Sequence, residues 1–318
     1  MTATTEQEKT TGKKRMGQRA KRRAIFYALM IFLPMLQIAV FYVGVNMNSF
    51  IMAFQKYTVT KTGYDISFAK WDNFKAAFVF LKDCGYMIKN SVILFCVNTL
   101  LGTTLALMFS FYIYKKYPMA GFFKTVLFMP QIISGLVFSL LFKYCVTNVY
   151  TWLAELITGH DVQGLLDGSV TTKFVTILVY NVWIGFGVNV LLFSGSMSGI
   201  DESIVESAQL DGANVVQEFL HITLPMIYPT IVSFLVIGLA GICTHQMSLF
   251  SMYGNTAKEI ASLGYYLYLQ AQTADLVPQS GYYSFGQLAA VSLVLSAIVI
   301  PTVLIIKNLL RKFGPSME

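Results

Sequence analysis

The residues best placed to do work in this chain fall in one polar stretch between apolar runs, Ile200 to Pro225. It reads Ile-Asp-Glu-Ser-Ile-Val-Glu-Ser-Ala-Gln-Leu-Asp-Gly-Ala-Asn-Val-Val-Gln-Glu-Phe-Leu-His-Ile-Thr-Leu-Pro. Asp201, Glu202, Glu206, Asp211 and Glu218 stand in it with no Lys or Arg, a balance that suits a basic partner surface. Asp201 or Ser203 is placed to cap a first short helix, Ser203 with Glu206 having capping-box spacing, and Asp211-Gly212 supplies a corner. Asn214 with Gln217 repeats the capping pattern for a second helix that stops before Pro225. Ile204, Val205, Ala208, Val216, Phe219 and Leu220 then form an apolar side that a loop in water exposes only where something covers it. Glu206 can pair with a partner cation and Gly212 can admit a partner backbone; the plainer readings are a helix cap and an ordinary turn.

Other chemistry is sparse. His160, His221 and His245 lack ligand spacing, and Cys84, Cys96, Cys145 and Cys243 form no C-x-x-C, so no metal or redox centre is expected. Cys84 and Cys145 fall near span ends on one side of the membrane, which leaves a disulfide between them open. The chain lacks G-x-x-x-x-G-K-[ST]; its one Gly-Lys pair, Gly12-Lys13, has no upstream glycine. Energy for any uphill process must therefore come from elsewhere.

The elements that position the stretch are membrane helices. Of 318 residues, 55% are hydrophobic and 12% charged, with mean hydropathy +0.60. Six runs are long enough to cross a bilayer as helices, at about 24–45, 91–114, 122–144, 174–196, 227–250 and 285–310. They lack the alternation of barrel strands and carry no Asp, Glu, Lys or Arg mid-span, the usual mark of an ion-coupled carrier. The organisation expected is a basic tail (1–23), one transmembrane domain (24–312) containing the 200–225 loop, and a short tail (313–318). Residues 1–12 read as a polar, disordered leader, and the first run, too long for a signal peptide and without a cleavage site, reads as retained. Fourteen of the 23 Lys and Arg, including all five Arg, fall on one side if the helices alternate, which puts both termini and the 200–225 loop in the cytoplasm. The net charge of +7 is topological and does not point to nucleic acid. Trp71 to Cys84 reads as an interfacial helix, with Trp71, Phe74, Phe78 and Leu81 on one face and Lys70, Lys75 and Lys82 opposite. Pro34, Pro130 and Pro301 sit where they can kink spans.

Glu-Ser-Ala, then Asp-Gly-Ala, then Ile-Thr-Leu-Pro resembles the signature of permease subunits of binding-protein-dependent ABC importers, in the carbohydrate-uptake branch related to the maltose permease. Asn73-Phe74, Pro130, and Trp183 with Gly185 add to the resemblance, while Ser207 stands where the family has Ala. It implies an all-α, six-span type I permease fold in the bacterial cytoplasmic membrane, and a coupling helix in which Glu206, Ser207, Ala208, Asp211, Gly212, Ala213, Leu224 and Pro225 meet a cytoplasmic ATPase. The partners implied are a second, paralogous permease, two ATPase subunits that bind ATP and Mg, an extracytoplasmic solute-binding protein and a sugar; this chain itself would bind no cofactor and catalyse nothing. For a sugar, neutral polar and aromatic groups are the expected contacts: Gln131, Asn181, Trp183, Asn189, His245, Gln246, Tyr253, Asn255 and Gln287, each of which can instead bond a neighbouring helix. Tyr265, Tyr266, Tyr268, Tyr282 and Tyr283 read as an interfacial belt or a sugar platform. Amino-acid or peptide import is the second substrate reading and a stand-alone secondary carrier the third; external lysines also admit an anionic polysaccharide fragment.

Overall fold

The computed structural model describes residues 18–60, 63–275 and 283–315. The stretch 1–12, the basic residues Lys9, Lys13, Lys14 and Arg15, Tyr282, and residues 316–318 lie outside it. The chain divides into two compact units, Met1–Met52 and Ala53–Glu318.

The described part of the first unit is a single long helix, α1 (Lys21–Met52), predominantly apolar beyond Arg23. That pattern suits lipid, since a helix of a water-soluble protein keeps a polar face. At 32 residues it is about 48 Å long, more than a core of about 30 Å needs. Pro34 deprives it of one backbone donor, and a widened turn over Ile38–Gly44 follows.

The second unit opens with a hairpin, β1 (Gln55–Thr60) against β2 (Gly63–Phe68), in a stretch whose sequence reads only as a break after the first run. The buried Asn73 holds it, donating to the Ala53 and Gln55 carbonyls at 2.9 Å each. Asn73 lies in the first turn of α2 (Asp72–Asp83), the expected interfacial helix, but the buried face differs from the predicted one. Asn73, Ala77 and Phe80 point inward, Phe74 and Leu81 are half-buried, and Trp71 and Phe78 face outward. The reason is Phe80, whose ring lies 5.5 Å from Tyr266 and 5.1 Å from Tyr283 and so fixes the rotation of the helix.

The remaining elements are α3 (Gly85–Tyr114), α4 (Ala120–Ile132), α5 (Gly135–Thr158), α6 (Val170–Met197), α7 (Glu202–Leu210), α8 (Val215–Met226), α9 (Tyr228–Ala240), α10 (Leu249–Tyr253), α11 (Leu263–Thr273) and α12 (Phe285–Phe313). Among the described residues five helices are long and apolar enough to cross a membrane, and the bent pair α8–α9 makes a sixth. The fold is all-α apart from the hairpin. Two expected spans take another form. The 122–144 run is split at Ile133–Ser134, both extended, just past Pro130, and α5 carries the crossing length on to Thr158. The 227–250 run leaves helix after Ala240, and Met247 and Ser248 both take positive φ before α10 begins.

α6 is the central helix, buried around much of its circumference from Thr176 to Met197. α4 crosses it at Gly187, where a Cβ would meet the Leu127 carbonyl oxygen at 1.9 Å, so only glycine lets the backbones approach. Two apolar cores result. The first gathers Phe80, Leu166, Tyr180, Leu249, Met252 and Tyr265; the second gathers Phe111, Phe193, Met197 and Ile227. α3 and α6 each start in the first core and end in the second, so they run parallel and define two ends of the unit. All four cysteines are free thiols, Cys84 buried and Cys145 exposed.

Candidate functional site

The 200–225 stretch lies at the second-core end and forms two short helices at a corner. Asp201, not Ser203, is the first cap: its carboxylate accepts from the Ser203 amide at 3.0 Å and the Ser203 hydroxyl at 2.9 Å. Ser203 sits inside α7, so the Ser203–Glu206 capping box does not form. Those bonds hold the Asp201 carboxyl below its ordinary range, with both charge and geometry favouring the ionised cap. α7 ends in a paired C-cap, in which Ala213 N–H donates to Ala208 at 2.9 Å and Gly212 N–H to Gln209 at 3.1 Å. The motif requires a left-handed residue, supplied by Gly212 at φ +84°. Asn214 and Gln217 then make the expected reciprocal capping box, both bonds at 2.9 Å. α8 and α9 meet at 65° around the buried Ile227, flanked by Pro225 and Pro229, neither of which supplies a backbone donor.

Both ends of α7 and the start of α8 are thus satisfied internally, yet the apolar side of the corner is bare. Leu210 is 89% exposed and Val216 64%, with Ile204, Val215 and Leu220 also open; only Val205 is buried, while Phe219 packs on Phe111 at 4.9 Å. Glu206, Asp211 and Gly212 stand in the open, and the Glu206 carboxylate has no partner among the described residues. Ser207 donates to the Ser203 carbonyl at 2.7 Å, Ala208 and Ala213 are half-buried, and Leu224 and Pro225 belong to the joint. One sequence expectation changes. Glu218 is not part of an acidic outer surface: it is buried and bound to Lys115, which the sequence places two spans earlier.

The nine residues expected to touch a solute do not share one pocket. Asn181 is buried and donates to the Ile177 and Met247 carbonyls at 2.8 and 3.2 Å, fastening α6 to the 241–248 segment. Gln287 is consumed by the capping box that Ser284 makes for α12. The Tyr253 hydroxyl donates to Leu166 at 2.8 Å, and the His245 ring accepts from the Met247 amide at 3.1 Å. Gln131 donates to the Ile184 carbonyl, beside Trp183, whose half-exposed ring packs on Phe138 at 5.2 Å. Asn189 and Gln246 are half-buried. Asn255 alone lines a recess of about 780 Å³ at the first-core end, whose walls include Tyr86, Lys258, Tyr266, Gln270 and Thr273. The Gln270 Oε1 is buried there without a hydrogen-bond partner. Sequence reasoning passed over Gln270, Gln272 and Thr273; the signal was an amide-rich turn one helical turn beyond a Tyr-Tyr pair. The tyrosines are packing groups more than a belt. Tyr265 is wholly buried, its hydroxyl donating to Gly254 at 2.7 Å, while Tyr266 and Tyr283 flank Phe80 and Tyr268 meets Phe250.

A family model described as binding-protein-dependent transport system inner membrane component matches residues 98–318. A probable ABC transporter permease protein of Mycoplasma pneumoniae is 30% identical over 183 residues, 56% of this chain and 54% of that protein, so the match spans about half its length. The multiple sugar-binding transport system permease protein MsmF of Streptococcus mutans is 27% identical over 259 residues, 79% of this chain and 83% of that protein. A chain of a bacterial alginate ABC transporter, solved in complex with alginate pentasaccharide-bound periplasmic protein, superposes with TM-score 0.71 at 20% identity, covering 93% of this chain and 96% of that one.

Proposed function

The chain belongs to the family of binding-protein-dependent transport system inner membrane components, and from that premise we propose that it is the permease subunit of an ATP-driven sugar or oligosaccharide importer. It is a multi-pass membrane protein. The observation that carries the reading is the corner: a pair of short helices, each opened by its own side-chain cap, with a bare apolar side, the form of a part built to be covered. The cover proposed is a cytoplasmic ATPase subunit, which holds ATP and Mg and supplies the energy. Burying Leu210 alone would contribute about 1.5–3 kcal/mol to that contact. Glu206, Ser207, Ala208, Asp211, Gly212 and Ala213 would face or shape the contact, while Leu224 and Pro225 pass its movement to α9.

On this reading both termini and the corner are cytoplasmic, and the first-core end faces outward to receive solute from a binding protein. Asn255, Tyr266, Gln270 and Thr273 in the outer recess, and Trp183 with Gln131, are the groups proposed along the solute route. A second permease, two ATPase subunits and a binding protein complete the assembly. The sugar reading draws on MsmF, whose name states multiple sugar-binding transport, and on the alginate-bound transporter complex. Amino-acid or peptide import is less supported.

The test is to purify the chain with its co-expressed subunits and measure ATPase stimulation by sugars presented on the binding protein. Gly212→Val, which forces a branched residue into the left-handed region, and Glu206→Ala should each lower transport per ATP at least about tenfold while membrane insertion persists. Wild-type transport in both variants would sink the coupling role, and a panel of sugars that leaves hydrolysis unchanged would sink the sugar reading.

A further inference from the structure

Glu218 differs from the other four carboxylates of the corner. Its side chain is 2% exposed and that of Lys115 is 18% exposed. The Lys115 ammonium donates to both carboxylate oxygens, at 2.9 and 3.0 Å, and the Gln209 amide adds a third bond at 3.2 Å. A buried charge so satisfied has one good arrangement, because removing any donor leaves part of it unpaired. Three elements therefore meet on one carboxylate: the end of α3 through Lys115, α7 through Gln209, and α8 through Glu218 itself. The Phe111–Phe219 contact seals the α3–α8 side.

The other end of α3 is tied just as specifically. The Tyr86 hydroxyl donates to Lys258 O at 3.1 Å, the Asn90 amide donates to Ala261 O at 3.0 Å, and the Ser91 hydroxyl accepts from the Leu263 amide at 3.0 Å. Tyr86, Lys258 and Ala261 line the 780 Å³ recess. α3 is 30 residues long, about 45 Å, and joins the two regions directly.

We propose that Glu218, clamped by Lys115 and Gln209, is the positioning residue through which movement of the corner is delivered to α3 and, along α3, to the 258–263 wall of the outer recess. The proposal rests on the coupling reading above for its purpose, but its test needs neither the ATPase nor a cargo, so the two fail separately. The wall is held to α3 by side-chain bonds rather than by a continuous helix, so a small axial shift of α3 must either carry 258–263 with it or break those bonds.

The experiment is hydrogen exchange on the full chain in lipid nanodiscs. Glu218→Gln and Lys115→Met should each raise exchange of the corner amides 203–218 and also of the Leu263 amide, by about 2- to 30-fold, the range of effects along coupled networks. The reversed pair, Lys115→Glu with Glu218→Lys, should return both regions to within about twofold of wild type. Gln209→Leu, which leaves the ion pair in place, should act in the same direction and more weakly; it serves where the charged variants yield no folded chain. Faster exchange at the corner with none at Leu263 would reduce the clamp to a local prop and overturn the proposal. So would a reversed pair as fast as the single variants, or no change at either place.

Discussion

The corner at 201–226 and the outer segment at 247–275 are both connecting chain, and they treat their apolar residues in opposite ways. In the outer segment Met247, Leu249, Met252, Leu263 and Tyr265 are all but completely buried. In the corner Ile204, Leu210, Val215, Val216 and Leu220 lie open. Side-chain caps occur in both, with Ser262 capping α11 as Asp201 and Asn214 cap α7 and α8. The largest difference is thus one of apolar surface. The outer segment completes its own core, whereas the corner is a finished shape that awaits a partner. A loop that was merely loose would leave its helix ends unsatisfied as well.

The contrast breaks most visibly if the outer segment is opened. Tyr265→Ala removes a wholly buried ring and two hydrogen bonds, one to Gly254 and one from the Ala257 amide, and should cost on the order of 3–5 kcal/mol. Gly264→Ala should cost about 1–3 kcal/mol by overpacking, because the added carbon would lie 2.4 Å from the Thr244 carbonyl carbon. Thermal unfolding of the purified chain in detergent reads both. Leu210→Asp in the corner is the counterpart: chain stability should stay within about 0.5 kcal/mol, while affinity for the ATPase subunit falls by about 2 kcal/mol or more. A corner variant that unfolded the chain as far as Tyr265→Ala does would erase the distinction.

Which of these features the sequence disclosed follows from their range. The corner was legible because its causes are local. Asp211-Gly212 and Asn214 with Gln217 act over a few residues, and the structure returns the turn and the second capping box where the spacing puts them. The first cap went to Asp201 rather than to a Ser203 box because Asp201 lies one step outside the helix and also takes the Ser203 hydroxyl. The Lys115–Glu218 pair was not legible, since 103 positions separate its members and the acidity of the loop suggested an outward face. The rotation of α2 was missed for a similar reason. Spacing made a stripe of Trp71, Phe74, Phe78 and Leu81, but the contacts of Phe80 with Tyr266 and Tyr283, remote in sequence, chose the buried side. The scattered polar residues of the spans were legible as hydrogen-bonding groups, but not as to partner: Asn181 and Gln287 serve the fold.

The finest distinction between the two regions is chemical. The outer helices α11 and α12 are capped by serine hydroxyls, which carry no titration in the acid range, and the first helix of the corner by a carboxylate, which does. The Ser203 amide and hydroxyl lower the folded Asp201 pKa from its ordinary 3.8, so this group binds its proton less readily folded than unfolded. Its contribution is therefore fully present above the unfolded value and is lost as pH falls through the folded one. Acidification should loosen α7 and leave α11 alone. Exchange protection, corrected for the intrinsic pH dependence of amide exchange, should decline at Ser203 and its neighbours as pH falls below about 4 while Tyr265, capped by Ser262, holds steady. Asp201→Asn keeps a capping oxygen without the titration and should flatten that decline. A parallel decline in both helices, or one that survives in the Asn variant, would mean that acid acts on the whole unit, and the corner would have lost its separate electrostatic character.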